Sequence, residues 1–581
     1  MDQYEIDKLL KQIAELKQEL EATKKYGLVW DKAKVKEKSV QQCSNRIPIL
    51  VRDYKKDIEH GFSNNVLIEG DNFNVLTSLS SSLEGQINSI YIDPPYNTGN
   101  KDFQYNDQYI DPEDSYRHSK WLNFMYPRLK LARGLLAPDG VLLISIDDHE
   151  VSQLRLLADS IFGEFAFVTT IHVELSATQG MKVKAAQMGN IVKNAEYILV
   201  YSKDGHKNVA KNILYDHRPD FDTHYNKIII NSELHELKKI AMPFIEEPFK
   251  KDNLSELYAR SEGFKKFVES HLETIVADDK ISGFELGDYP EGKVYEVSTK
   301  KRKYLIYNNG NKIRQLLKLS DSYGYCDDFK RSYGLRKIRG DWWKDFYLDM
   351  GNVSKEGGVV FLNGKKPVRL IKQLIEITTD KNSMVLDFFA GSGTTGQAVL
   401  ELNKEDGGHR RFILCTNNEN NICTDVTYPR LKTVITGSRP DGSKYSDGIP
   451  ANLYYFKTDF VDDLKNTDQA KYNLAEKVDS LLCIAEDIFD EKKRNDYSSH
   501  YVSSDKKKHL FIYNDYFNKE KFDEFKDRVM KADGEKIVYV FSFDNNVDET
   551  LFSDKSIIVK PIPEKIYEIY KEIAESIKRG E

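Results

Sequence analysis

Apolar positions along this chain recur with two different periods. In residues 1–26, Leu9, Ile13, Leu16 and Leu20 fall on one helical face among many Lys and Glu, the pattern of an amphipathic helix. Such a helix either lies on its own domain or pairs as a short coiled coil. Gly27 ends it, and Trp30 reads as a core anchor. Further on, short apolar runs predict buried strands at Val66-Leu67-Ile68, Ile90-Tyr91-Ile92, 141–146, 196–201, Met384-Val385-Leu386 and 411–415. Helical patterns stand between them. One covers 115–136, with Trp121, Met125, Leu129, Ala132 and Leu136 on the core side, and another covers 149–163. A third opens at Lys366-Pro367, where a proline is tolerated because its N–H would be unpaired, and carries Leu370, Leu374 and Ile377 on one face. A fourth begins at 397–402. The alternation predicts an α/β doubly wound sheet.

Residues 205–345 break that alternation. Helices are predicted around 234–245 and 253–275, after which the chain turns basic and aromatic. Arg331, Arg336, Lys337 and Arg339 interleave with Tyr323, Tyr325, Tyr333, Trp342 and Trp343. Basic side chains serve phosphate contacts, and Arg can also read guanine edges. A charge run is usually a solvated face. Its position between two halves of one sheet favours recognition of a nucleic-acid target. After about residue 450 the pattern predicts lysine- and aspartate-rich helices up to 495, then a polar linker, NDYSSHYVSSDKKK. Residues 509–581 alternate again, with strands at 509–513, 536–542 and 556–560 and helices at 518–531 and 563–578. That is a small C-terminal α/β module, suited to interaction, to dimerisation or to structure alone. The expected divisions are 1–40, 41–204, 205–350, 351–445 and 446–581.

Composition narrows the class. The chain has 581 residues, 40% hydrophobic and 30% charged, enough for about two to four soluble domains. It lacks an eighteen-residue apolar stretch and the layout of a signal peptide. Five cysteines without CxxC spacing argue against a disulfide framework or a cysteine-rich metal site and suit a reducing cytoplasm. Net charge is −7, so any nucleic-acid contact must come from local basic surfaces.

Two stretches carry chemistry. The strand ending at Ile92 runs into Asp93-Pro94-Pro95-Tyr96. Consecutive prolines fix φ, remove two donors and force an extended exit from the sheet. The Asp93 carboxylate and the Pro94 carbonyl can then point into one pocket walled by Tyr96, which suits a planar substrate bearing an exocyclic amino group. Far downstream, Asp387-Phe388-Phe389-Ala390-Gly391-Ser392-Gly393-Thr394-Thr395 joins a strand to a helix. Its glycines allow close backbone approach to a nucleotide-like ligand. Lys366 should border the same ligand, because its helix leads into this turn. Asp71, after the strand at 66–68, either faces the ligand or caps the next helix. Glu419 lies a few residues past the strand end at which a ribose-binding acid is expected.

Together with KYGLVWDK, NNVLIEGDNFNVL, EYILVY, NGKKPVRLIKQLI and NNENNICTDVTYPRL, these motifs resemble the modification subunit of Type III restriction–modification systems, a beta-class DNA amino-methyltransferase. The resemblance covers most of residues 1–460. It implies a circularly permuted Rossmann-like methyltransferase sheet with an inserted target-recognition domain. It implies S-adenosylmethionine as cofactor, double-stranded DNA as substrate, transfer to the N6 amino group of adenine, a homodimer and a separate helicase–nuclease subunit. In that reading Asp93, Pro94, Pro95 and Tyr96 act on an extruded base, while Asp71, Lys366, Asp387, Phe389–Thr395 and Glu419 hold the cofactor. Transfer to cytosine N4 or to RNA, and a binding-only homologue, remain alternatives.

Overall fold

The computed structural model describes Trp30 and residues 37–562, apart from 44–45, 62, 100–103, 106–107, 178, 180, 300–302, 362–363, 463–472, 476, 516–518, 542–550, 553 and 555. The expected N-terminal helix with Leu9, Ile13, Leu16 and Leu20, and the expected last helix at 563–578, lie outside the described residues. The chain divides into two compact units, one built from Met1–Asn212 with Asp349–Glu581 and the other from Ile213–Leu348.

In chain order, the first unit places β1 (Ile47–Arg52), β2 (Asn64–Glu69), α1 (Asn72–Ser80), β3 (Ile87–Ile92), α2 (Arg117–Leu135), β4 (Leu136–Ile146), α3 (Val151–Phe162), β5 (Phe167–Glu174) and β6 (Ala195–Ser202). After residue 349 come α4 (Val368–Thr378), β7 (Met384–Asp387), α5 (Thr394–Asp406), β8 (Arg411–Thr416), α6 (Tyr428–Thr436) and β9 (Asn452–Val461). Nine of these strands form one sheet in the order β1-β9-β2-β8-β7-β3-β4-β6-β5. Strands from the later half of the chain, β7 and β8, thus lie between β2 and β3 from the earlier half.

The five central strands are parallel. Leu386 of β7 lies opposite Ile90 of β3, and Asp387 lies opposite Leu414 of β8. Their carboxyl ends therefore share one edge of the sheet. β6 runs antiparallel to β4, with Leu199 opposite Ile144, so β6 begins at the edge where its neighbours end. Strands buried on both faces read as continuous apolar runs. Ile90, Ile92, Leu142, Ile144 and Leu386 are completely buried, worth roughly 1.5–3 kcal/mol each against exposure.

The stretch after residue 450 departs from the helical expectation. It opens with β9, which pairs parallel to β2 and antiparallel to β1. The run Asn-Leu-Tyr-Tyr-Phe is wholly buried in that strand, and its bulky rings suit a pleated surface better than a lysine-rich helix. The main sheet therefore extends past 445, and the C-terminal module expected from 446 begins later. That module contains α7 (Asp479–Glu486), β10 (Asp490–Asn495), β11 (Ser498–Val502), β12 (Lys508–Tyr513), α8 (Lys519–Met530), β13 (Glu535–Val540) and β14 (Ile557–Pro561). Its five strands form a sheet in chain order. The expected linker is the β10–β11–β12 meander, because Tyr501 and Val502 are buried and the Tyr501 hydroxyl donates to Asp479 at 3.0 Å.

The two sheets described in the second unit are antiparallel. A six-stranded sheet orders Glu233–Glu236, Lys227–Ile230, Ile275–Lys280, Ile313–Lys318, Lys303–Asn308 and Val294–Ser298. The helix expected at 253–275 is two helices, Leu254–Arg260 and Glu262–Ser270. Ser261 between them is extended, and its side chain caps the second by accepting from the Phe264 N–H. A smaller sheet joins Tyr323–Tyr325, Tyr333–Ile338 and Tyr215–His217.

Candidate active site

The end of β3 delivers Asp93 to the sheet edge, and the two prolines carry the chain outward. Trp121 of α2 is fully buried, and its Nε1 donates to the Pro95 carbonyl at 2.7 Å. Asn97, at φ 59°, turns the chain, and its amide donates to Glu150 at 2.5 Å. The loop is thus pinned on both sides of Tyr96.

Four side chains from three places in the chain meet there. The Tyr96 hydroxyl lies 2.9 Å from Asp93 Oδ1 and 3.1 Å from Glu196 Oε2. Lys366 Nζ lies 2.9 Å from Glu196 Oε2, 3.5 Å from Asp93 Oδ1 and 4.7 Å from the centre of the Tyr96 ring. Burial raises the Asp93 carboxyl above its ordinary range, and the Lys366 charge opposes that rise. Burial alone would lower Lys366, but Asp93 and Glu196 hold it up at about 12. Burial, then the two carboxylates, push the Tyr96 phenol far up, so it is a donor throughout the neutral range. The cluster is one ammonium and one phenol shared between two carboxylates.

The glycine-rich turn leaves β7, the immediate neighbour of β3. Asp387 closes the turn from within, accepting from the Phe389 N–H at 2.9 Å and from the Thr395 hydroxyl at 2.5 Å. Burial raises Asp387 to about 7. Gly391 and Gly393 have φ of 47° and 78°, left-handed values that favour glycine. A Cβ on Gly391 would meet nothing nearer than the Phe389 carbonyl at 3.8 Å. That bare backbone faces space a ligand can fill, beside the start of α5 with its unpaired N–H groups. Ser392, Thr394 and Thr395 are buried.

Arg430, fully buried on α6, braces the turn from behind. Its Nη1 donates to Thr394 Oγ1 at 2.7 Å, to Ser392 Oγ at 3.0 Å and to the Ser392 carbonyl at 3.3 Å, and its Nε donates to Gln397 at 2.8 Å. Glu356 Oε2 stands 3.8 Å from Arg430 Nη2 and accepts from the Val368 N–H at 3.2 Å. Burial lowers Arg430 to about 10 and raises Glu356 to about 7, each opposed by the other's charge. The same pair therefore ties the turn to the segment carrying Lys366.

The other sequence candidates fall in different places. Lys366 reaches Asp93 and Glu196, so it joins the Asp-Pro-Pro-Tyr loop and not the glycine turn. Asp71 caps α1, accepting from Phe73 and Asn74 N–H, and stands 3.4 Å from Arg128. Arg128 is held by Glu37 through two 2.7 Å bonds. Glu419 is exposed beyond the end of β8. In the second unit, Arg339 has a side chain only 3% exposed, 2.7 Å from Asp216, and Arg336 lies 3.8 Å over the Tyr215 ring. Both brace the small sheet, whereas Arg331 and Lys337 are exposed.

Glu196 and Arg430 escaped the sequence reading. Glu196 is the one charged residue of an otherwise apolar, aromatic run, which is a usable signal in hindsight. Arg430 followed a Tyr-Pro helix start with nothing to distinguish it from a surface base.

Residues 87–427 match the family model described as DNA methylase. The chain is 29% identical over 473 residues to the Mod subunit of the Type III restriction-modification enzyme StyLTI of Salmonella typhimurium, covering 74% of this chain and 67% of that one. It is 32% identical over 410 residues to the EcoPI Mod subunit of Escherichia phage P1, covering 63% and 60%. It is 30% identical over 402 residues to the Type II methyltransferase M.KpnI of Klebsiella pneumoniae, covering 68% and 88%. The chain thus spans about two thirds or less of the length of these two Type III relatives.

Proposed function

The chain belongs to the DNA methylase family, and from that premise we propose that it transfers a methyl group from S-adenosylmethionine to the N6 amino group of adenine in duplex DNA. The observation that carries this reading is the Asp93–Tyr96 cluster standing beside the glycine turn, at the ends of two adjacent strands. The chain order is read as a circular permutation of a doubly wound sheet, with Ile213–Leu348 inserted as the target-recognition element. The Mod relatives support a role as the modification subunit of a Type III system; the homodimer and the helicase–nuclease partner rest on the resemblance of the sequence motifs alone.

The base is extruded from the duplex at a cost of a few kcal/mol and stacks on the Tyr96 ring. Its amino group donates to the Asp93 carboxylate and to the Pro94 carbonyl. These acceptors draw the nitrogen toward a tetrahedral form whose lone pair points at the donor. When bound, S-adenosylmethionine would supply the electrophilic methyl group, its sulfur leaving as a neutral thioether, and the proton displaced from the nitrogen passes to solvent by way of the Asp93 carboxylate. Asp387, Phe389–Thr395 and the start of α5 would hold it. Position and local charge supply most of the catalysis.

The test is methyl transfer from labelled S-adenosylmethionine to duplex DNA, with nucleoside analysis of the product and Asp93→Ala as control. N6-methyladenine from the wild type alone supports the reading. N4-methylcytosine replaces the acceptor base, and no transfer to any duplex sinks the reading.

A further inference from the structure

Glu196 enters the site from β6, the strand that starts where its antiparallel neighbours end. Three donors compete for Asp93 in the reaction proposed above: the Tyr96 hydroxyl, the Lys366 ammonium and the substrate amino group. The first two already touch it, at 2.9 and 3.5 Å. A carboxylate has about four lone-pair directions, and a lysine pressed fully onto it would take the charge the amino group needs. Glu196 offers the same two donors a second acceptor, at 3.1 and 2.9 Å. Lys366 is nearer to Glu196 than to Asp93.

We propose that Glu196 is a positioning residue for methyl transfer: it draws the Lys366 ammonium away from Asp93 and shares the Tyr96 hydroxyl with it, keeping that carboxylate available to the incoming amino group. It does not touch the substrate. The role rests on the amino-methyltransferase reading and adds a residue to it. Around Asp93 stand Lys366 ahead of α4, Glu196 on β6, Tyr96 on the same loop, Tyr91 on β3 and Asp387 on β7.

Glu196→Gln keeps the shape and removes the charge, so Lys366 has only Asp93 to neutralise it. Single-turnover transfer then falls roughly ten- to a hundredfold, as expected when an interaction needed at the transfer step is lost. S-adenosylmethionine affinity stays within about twofold, because no donor-binding contact is removed. The fluorescence rise of 2-aminopurine placed at the target base persists, since extrusion and stacking are untouched. The acid limb of the rate profile moves to lower pH, because a negative neighbour of Asp93 has gone. Adding Lys366→Met removes the competing cation, so the double variant is faster than Glu196→Gln alone.

A Glu196→Gln rate equal to wild type overturns the proposal. So does a double variant no faster than the single one, or a loss of donor affinity that accounts for the lost rate. Wild-type protein that methylates no duplex overturns the parent reading and this role with it.

Discussion

Arg430 Nη1 lies 2.7 Å from the Thr394 hydroxyl, behind the glycine-rich turn and out of reach of solvent. A buried guanidinium that satisfies four oxygen acceptors while facing Glu356 is costly to place and costlier to remove. It fixes the conformation of a turn that glycines alone would leave loose.

Arg430→Met should therefore act at a distance from the reacting atoms. Ser392, Thr394 and Gln397 lose a donor, and the half-buried Glu356 loses its opposite charge. Breaking such a pair costs about 3 kcal/mol of stability, and a loosened turn weakens S-adenosylmethionine binding by roughly tenfold. Denaturant titration and calorimetry of donor binding check both. A variant as stable and as tight as wild type would show that the turn holds its shape unaided.

Asp387 gives the protein a pH dependence of predictable sign. Its carboxyl has an ordinary value of 3.8 and is raised by burial to about 7. A folded-state value above the unfolded one favours the folded state while the group is protonated. That contribution is complete below pH 3.8 and is lost as pH rises toward 7. Glu356, raised from 4.5 to about 7, acts in the same direction. Asp387→Asn should flatten the decline in unfolding free energy between pH 4.5 and 7.5 by on the order of 2 kcal/mol. An unchanged slope would assign the decline to other groups.

In the second unit, one set of arginines and lysines separates into two behaviours. Arg339→Ala leaves Asp216 and the Asp327 carbonyl without their donor, so it should cost about 2 kcal/mol of stability. Arg331→Ala and Lys337→Ala should each stay within roughly 0.5 kcal/mol of wild type. If this unit binds duplex DNA as proposed, each weakens binding and lowers the salt slope by about one. Salt-dependent binding isotherms with thermal melts separate the two classes. Equal destabilisation by all three would remove the distinction.

Much of the framework was legible because it is local. Asp93 and Asp387 each close an apolar run, and the prolines and glycines after them mark chain exits. What the residues could not reveal is which strands become neighbours. Glu196 lies a hundred residues from Tyr96 and Lys366 lies 170 from Glu196, and no short-range pattern encodes that meeting. β9 was missed for a related reason. Its Lys457 and Asp459 follow an aromatic run that only pairing with β1 and β2 makes a strand. Arg336 and Arg339 read as phosphate ligands by type, and only the folded chain shows that they also contact Tyr215 and Asp216.

The place of β7 and β8 in the middle of the sheet also governs the protein's synthesis. While the first two hundred residues emerge, β2 and β3 have no partner on their facing edges, and the gap closes only after residue 416 has left the ribosome. Long-range pairing of this kind is slow and leaves strand edges open to other chains. A prematurely ended product would carry the Asp-Pro-Pro-Tyr loop without the turn that faces it. On the function proposed above, a chain that ends before β7 and β8 therefore lacks half of the site.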